Sequence, residues 1–135
     1  MKDKIGTQET PIELKTPPLS SSYSMYYDLK DEREVIVCVV GKTVLYYDFR
    51  IINDLYEMLK EHNDWMLLGS KDEKAEAKEG TVEFWARSED NPIGGWYGLK
   101  KGLRGRVGMY IPPLMEKLGL VELEHNKRNN RIKAI

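Results

Sequence analysis

The chain has 135 residues, of which 41% are hydrophobic and 32% are charged, values typical of one globular domain or two very small ones. This composition argues against wholesale disorder, a collagen-like repeat and a membrane protein. The formal net charge of −1 hides an asymmetry, because residues 1–97 contain 12 basic and 19 acidic residues whereas residues 98–135 contain 9 and 3. Such a basic C-terminal third indicates contact with nucleic acid or a membrane surface, or docking on the chain's own acidic part.

The N-terminal part divides into an arm and a sheet. Residues 1–21 combine Pro, Ser and Thr with isolated apolar residues, which predicts a flexible arm with little regular structure. Residues 22–48 are dense in β-branched and aromatic residues and predict a three-stranded antiparallel β-meander. Gly41-Lys42 suits a type II′ turn, which pairs Val40 with Thr43, Cys38 with Leu45 and Ile36 with Tyr47.

This predicted hairpin is apolar on both faces, and both faces therefore need cover. The helix that follows is expected to cover one of them. The C-terminal part or a second subunit is expected to cover the other. A homodimer formed through the apolar meander is therefore one of the hypotheses.

A helix is predicted over residues 49–62, with Asp48 as its N-cap. Its apolar residues recur at the spacing of one buried face: Phe49, Ile52, Tyr56 and Leu59. Residues 65–68 form a short apolar run typical of a strand, and the charged residues 70–80 predict an exposed loop. Residues 81–88 favour a helix capped by Thr81, although their alternation also fits a strand.

The glycine-rich residues 96–110 keep helical spacing of their apolar side chains. Interior glycines cost about 1 kcal/mol each relative to Ala, so the segment is predicted either as a helix whose glycine side meets another backbone or as a loop. Pro112 and Pro113 suit the first turn of a helix, which predicts a short helix over residues 112–118 closed by Gly119.

The last sixteen residues, LVELEHNKRNNRIKAI, predict a β-hairpin with a loop at 126–129. One register joins apolar to apolar and acidic to basic residues on opposite faces. It pairs Leu123 with Ile132, Val121 with Ala134, Glu124 with Arg131 and Glu122 with Lys133. Lys127 and Arg128 at the tip are left without internal partners, so the tip is the expected place for an external anion.

The order of helix, short strand, helix, helix and hairpin over residues 49–135 resembles the winged-helix (winged helix-turn-helix) superfamily. The similarity is carried by IPPLMEKLGLVELEHNKRNNRIKAI, a recognition helix ending in Leu-Gly-Leu followed by a two-stranded wing with a basic tip. It implies an α+β fold in which the β-meander and a winged-helix-like domain form one unit. It also implies a nucleic-acid-binding protein, such as a transcriptional regulator, with DNA as its partner and the meander as an added dimerisation or regulatory element.

Two sets of residues are predicted to contact nucleic acid. The candidate phosphate contacts are Lys100, Lys101, Arg104, Arg106, Lys117, Lys127 and Arg128. If the glycine-rich segment is helical, Lys100, Lys101 and Arg104 lie on one solvent-facing stripe of that helix. The alternative is that these basic residues form an ordinary solvated face that binds nothing. Trp96 and Tyr97 are predicted to stack on single-stranded bases, or else to anchor the core beside a turn. The predicted recognition helix is poor in the Arg, Asn and Gln side chains that read base edges.

Motifs of catalysis and cofactor binding are missing from the sequence. It has no Ser-His-Asp order, no HExxH and no dinucleotide fingerprint, and Gly41-Lys42-Thr43 lacks the upstream glycine of a phosphate loop. The single Cys38 cannot form an internal disulfide, and His62 and His125 give it no zinc-ligand spacing. We therefore expect no enzymatic activity, metal or cofactor, a reducing cytoplasmic location, and no membrane partner. The alternative function is a protein–protein interaction module without nucleic-acid binding.

Overall fold

The computed structural model describes residues 2–99 and 103–135. An antiparallel sheet of four strands in chain order occupies the N-terminal part, which confirms the meander and adds one strand to it. The strands are β1 (Ile12–Lys15), β2 (Ser22–Lys30), β3 (Arg33–Val40) and β4 (Thr43–Asp48). Together with three helices and a small C-terminal sheet they make an α+β fold, as predicted.

Strand β1 corrects the prediction that residues 1–21 contain little regular structure. Its backbone pairs with β2, so that Leu14 lies opposite Tyr23, and both side chains are buried. Ile5 is also fully buried. The composition of this segment is polar on average, but Ile5 and Leu14 bury enough apolar surface to hold it on the sheet.

The β3–β4 hairpin has the predicted register, with Val40 opposite Thr43 and Cys38 opposite Leu45. Gly41 has a φ of +59°, which a type II′ turn requires at its first central position. On the outer face, Val37 lies between Tyr26 and Tyr46 of the neighbouring strands. The homodimer expected to cover this face stays a prediction.

Helix α1 spans Ile51–His62 and begins two residues later than predicted. Contrary to the prediction, Asp48 is not the N-cap residue of α1; that position is taken by Arg50. Asp48 is the last residue of β4, and its Oδ1 accepts the Arg50 N–H at 3.1 Å. Asn63, the residue after the predicted end of the helix, ends it in the left-handed conformation. The buried face consists of Ile51, Ile52, Asp54, Leu55 and Leu59.

A three-stranded antiparallel sheet closes the C-terminal part, in the order β5-β7-β6. Its strands are β5 (Met66–Leu67), β6 (Val121–Leu123) and β7 (Arg131–Ala134). The predicted hairpin register is confirmed, with Leu123 opposite Ile132. At the loop end, the Arg131 guanidinium donates two hydrogen bonds to the Glu124 carboxylate, at 3.0 and 2.8 Å.

Two further helices complete the fold. Helix α2 (Val82–Arg87) confirms the helical alternative for its segment, and the Thr81 hydroxyl caps it by accepting the Phe84 N–H at 3.2 Å. Before residue 107 the described part of the glycine-rich segment is a loop, one of the two predicted alternatives, but helix α3 (Val107–Lys117) begins earlier than the predicted short helix over residues 112–118. Residues 103–106 are not helical, and α3 runs through Pro112 and Pro113 instead of beginning there.

The interior prolines remove two helical N–H donors, a cost that burial of the helix offsets. Eight of the eleven residues of α3 are buried. The Tyr23 hydroxyl donates to the Tyr110 carbonyl at 2.7 Å and so fastens the N-terminal sheet to this helix. Helix α3 is thus the central element of the core. Within the described residues, no helix is long and apolar enough to cross a membrane.

Candidate functional site

The predicted basic residues do not lie on one helical stripe. Lys100 and Lys101 fall outside the described residues. Arg104 and Arg106 lie in the non-helical segment that leads into α3, with Arg106 at the N-cap position in the left-handed conformation, φ +56°. The stripe that a continuous helix over residues 96–110 would produce is therefore wrong for the described part of this segment.

Arg104 is engaged inside the molecule. Its backbone N–H donates to Glu73 Oε2 at 2.6 Å, and its Nη1 donates to the Glu73 carbonyl at 3.2 Å. The guanidinium carbon lies 6.0 Å from the centre of the Trp96 ring. Glu73 also accepts the Gly105 N–H, at 2.7 Å. This carboxylate holds the glycine-rich segment in place, and Arg104 has little freedom to reach an external phosphate.

Arg106 also has partners within the chain. Its Nη2 lies 3.3 Å from Asp72 Oδ1, and its Cζ lies 5.6 Å from the centre of the Tyr110 ring. The Arg106 side chain is 33% exposed, whereas Asp72 is 82% exposed. Such a half-exposed pair is weak, and Arg106 is not among the residues that line the cleft beside the hairpin tip.

The prediction of an exposed Trp96-Tyr97 stacking pair is wrong. Tyr97 is fully buried and its hydroxyl donates to Asp54 Oδ2 at 2.9 Å. Its ring stacks on Trp85, with centroids 5.6 Å apart. Trp96 is half-buried. The alternative that the sequence left open, a core anchor beside a turn, is the one found for Tyr97.

A cleft of 350 Å³ lies beside the hairpin tip and brings four basic side chains together. We call it the basic cleft; its basic residues are Lys71, Lys78, Lys127 and Arg128. All four are exposed, and none of the described residues that line the cleft is Asp or Glu. The tip residues were predicted from the hairpin register, whereas Lys71 and Lys78 were not singled out, because they belong to a mixed-charge loop with no periodicity.

Hydrogen bonds fix the backbone on the loop side of the basic cleft. The Thr81 hydroxyl donates to the Lys78 carbonyl at 2.7 Å. Arg87 reaches the other end of the loop, where its Nη2 donates to the carbonyls of Lys71 at 3.1 Å and Asp72 at 3.0 Å. The two lysines therefore start from ordered backbone positions, although their long side chains reach solvent.

Arg87 is itself held by a buried carboxylate. Its Nε donates to Glu83 Oε2 at 3.1 Å, and the two side chains are 7% and 0% exposed. Glu83 Oε1 accepts the Gly108 N–H at the start of α3, at 2.9 Å. Burial raises the pKa of Glu83, while Gly108 and Arg87 oppose that rise. This network joins the loop at 70–80 to α2 and α3.

The hairpin side of the basic cleft is ordered by Asn130, which is buried. Its Oδ1 accepts the Asn126 N–H at 2.6 Å and its Nδ2 donates to the Asn126 carbonyl at 2.9 Å. The Asn130 carbonyl accepts the Leu68 N–H at 3.0 Å. The tip residues Lys127 and Arg128 thus project from a closed loop rather than from a loose one.

His125, the residue before Asn126, ties the hairpin to the β1–β2 loop and to α3. Its Nδ1 lies 2.8 Å from the Pro17 carbonyl oxygen and its Nε2 lies 2.7 Å from Glu116 Oε2. Burial lowers the pKa of His125, but Glu116 and the Pro17 carbonyl outweigh it, so that the pKa is raised overall. Lys117 lies in a separate depression with His125, Glu13 and Glu116, away from the basic cleft.

The described part of the chain holds no group of three or more His, Cys, Asp or Glu side chains that could bind a metal ion. Cys38 is buried, and burial raises the pKa of its thiol to about 12, so it stays protonated at neutral pH.

Comparison with known proteins identifies a family but no activity. The model of a family of unknown function (DUF6855) matches residues 4–135. No curated protein and no solved structure matches the chain. Any functional assignment therefore has to come from the basic cleft and the fold around it.

Proposed function

The chain belongs to this family of unknown function, and we propose that it binds nucleic acid, with duplex DNA as the partner, by holding backbone phosphates in the basic cleft. The observation that carries the proposal is the convergence of four basic side chains on one cleft whose described lining contains no carboxylate. Such a site attracts a polyanion in spite of the net charge of −1, because the local field decides where an anion binds.

The topology gives the proposal a second support. The elements from α1 to β7 follow the order on which the resemblance to a winged helix rests, and that resemblance would make the loop at 126–129 the wing. Lys127 and Arg128 lie on that loop and line the basic cleft together with Lys71 and Lys78 of the loop at 70–80. A phosphate backbone entering the cleft would meet basic side chains from both loops.

The burial of α3 limits what the protein can read. A recognition helix needs an exposed face to bring side chains to base edges in the major groove. Eight of the eleven α3 residues are buried, and its fully exposed side chain is Lys117, at the C-terminal end. We therefore expect phosphate contacts to provide the affinity and base contacts to provide little discrimination.

A fluorescence-anisotropy titration against a random-sequence duplex at low salt tests the proposal. The test variant is Lys127→Glu with Arg128→Glu. The matched control, Lys42→Glu with Lys60→Glu, makes the same change in net charge at two exposed lysines on the β3–β4 turn and α1. Removing two phosphate contacts is expected to weaken binding about 200-fold at roughly 50 mM salt.

The control variant is expected to bind within a few-fold of the wild type. Equal losses in the two variants would show a response to net charge alone and would contradict the proposal. The absence of binding by the wild-type chain would also contradict it. That result would favour the alternative, a protein–protein interaction module, for which nuclease-insensitive capture of a protein partner is the corresponding test.

A further inference from the structure

A third pocket lies between the β1–β2 loop and the first turn of α3. It has a volume of 230 Å³, and its lining includes Thr16, three successive serines, Arg106 and Tyr110. The loop wall is closed by hydrogen bonds from Thr16 N to the Ser21 carbonyl at 3.0 Å and from Leu19 N to the Thr16 carbonyl at 2.7 Å. The bond from Tyr23 to the Tyr110 carbonyl ties this wall to the helix.

Two polar atoms of this lining are buried and have no hydrogen-bond partner among the described residues. They are the Thr16 hydroxyl and the Arg106 Nε. Thr16 is 6% exposed, and leaving such a group unpaired costs about 1–3 kcal/mol. Thr16 and Arg106 both line this pocket, so one ligand group bound beside them can satisfy both atoms.

The side chains that line this pocket favour an anionic ligand. Arg106 is its charged residue, the serine and threonine side chains and Tyr110 offer hydroxyl donors, and no carboxylate lines the described walls. The volume of 230 Å³ is enough for a small metabolite. Val40, Met109 and Pro18 add an apolar side to the pocket.

We propose that this pocket binds a small oxyanion, the carboxylate or phosphate group of a metabolite, between the Arg106 guanidinium and the hydroxyls of Thr16 and the adjacent serines. Arg106 Nε–H donates to one oxygen of the ligand, and Thr16 donates to another. The exposed ion pair with Asp72 leaves this Nε unused. The site is independent of nucleic-acid binding, although it adjoins the basic cleft through Pro18 and Met109, which line both.

The test is an NMR titration of the full ¹⁵N-labelled chain with sodium phosphate and, separately, sodium acetate, at constant ionic strength maintained with sodium chloride. The Arg106 Nε–H signal and the backbone amides of residues 16–23 are expected to shift saturably. The anion that binds more tightly identifies the head group. Arg106→Lys, which keeps the charge but removes the Nε–H, is expected to weaken binding about 10-fold, and Thr16→Val about 5-fold.

Four results would overturn the site. Shifts that grow linearly with both anions, or that are the same in Thr16→Val as in the wild type, would show an adventitious ion only. Equal shifts with chloride would show a response to ionic strength. A loss of duplex binding by Thr16→Val would show that the pocket is part of the basic cleft.

The failure of either proposal can be recognised separately. Lys127→Glu with Arg128→Glu is expected to leave phosphate binding in the pocket unchanged. Thr16→Val is expected to leave duplex binding unchanged. A chain that binds phosphate but no duplex would therefore contradict the proposed function while supporting this pocket.

Discussion

Substitution of Arg87 probes how the loop at 70–80 is held against the helices. Arg87 is 7% exposed and makes four hydrogen bonds. Its acceptors are the Glu83 carboxylate and the backbone carbonyls of Lys71, Asp72 and Ala75. Arg87→Lys keeps the charge, but a single ammonium cannot span this set of acceptors, because it lacks the planar fork of the guanidinium.

The magnitude follows from the number of bonds lost. If Lys retains two of the four, two bonds disappear at about 1–1.5 kcal/mol each, so Arg87→Lys should lower the free energy of unfolding by about 2–3 kcal/mol. Arg87→Met removes the charge as well and leaves Glu83 buried without its partner, which costs about 3–5 kcal/mol. The exposed Arg33, 50% accessible in its pair with Asp48, is the control; Arg33→Lys should stay within about 0.5 kcal/mol.

The stability deficit of Arg87→Met should depend on pH because Glu83 loses its charged partner. Burial raises the folded-state pKa of Glu83, and Arg87 opposes the rise, so removal of Arg87 should raise the pKa further. A raised carboxyl pKa gives stability that is present below the unfolded value, about 4.5, and lost as pH rises through the folded value. The deficit of Arg87→Met should therefore be smallest in acid and grow toward neutral pH.

Urea denaturation followed by tryptophan fluorescence measures these differences at pH 4 to 8. Trp85 lies on the same helix as Arg87 and reports on it directly. An Arg87→Lys variant as stable as the wild type would refute the role of the carbonyl contacts. An Arg87→Met deficit that does not change with pH would refute the coupling to Glu83.

Two other predictions concern the close packing of Gly105 against Tyr47 and the pH-dependent contacts of His125. Gly105 has a φ of +85°, and a Cβ there would lie 2.8 Å from Tyr47 Cε1, so Gly105→Ala should cost about 2–4 kcal/mol in urea denaturation. Gly119→Ala, with φ +77° and open space around the Cβ, should cost only about 1 kcal/mol; equal losses would contradict the clash. The stability lost in His125→Gln should be largest below pH 6.5 and should shrink as pH rises through the raised pKa of His125, and a pH-independent difference would contradict that ionisation.

The C-terminal hairpin could be predicted because its information is local. Apolar and charged residues alternate on both strands, and only one register matches both faces. The same register leaves Lys127 and Arg128 unpaired within the hairpin, and the structure places both in the basic cleft. This half of the candidate site was therefore accessible from the sequence.

The remaining parts depend on contacts between residues far apart in the chain. Glu73 binds the Arg104 backbone from 31 positions away, and no periodicity in the loop indicates that pairing. Strand β1 was missed because four residues next to proline carry little strand signal without the β2 partner. The start of α3 was predicted wrongly at Pro112 and Pro113. Burial of the helix outweighs the local preference of proline for the first turn.

The salt dependence of duplex binding tests the central claim most directly. If the four basic side chains of the cleft each neutralise one phosphate, a plot of log K against log salt should have a slope of about −3.6. Lys127→Ala with Arg128→Ala should reduce the slope to about −1.8, whereas Lys42→Ala with Lys60→Ala should leave it unchanged. A slope that the tip substitutions do not alter, or binding that does not depend on salt, would contradict phosphate binding in the basic cleft.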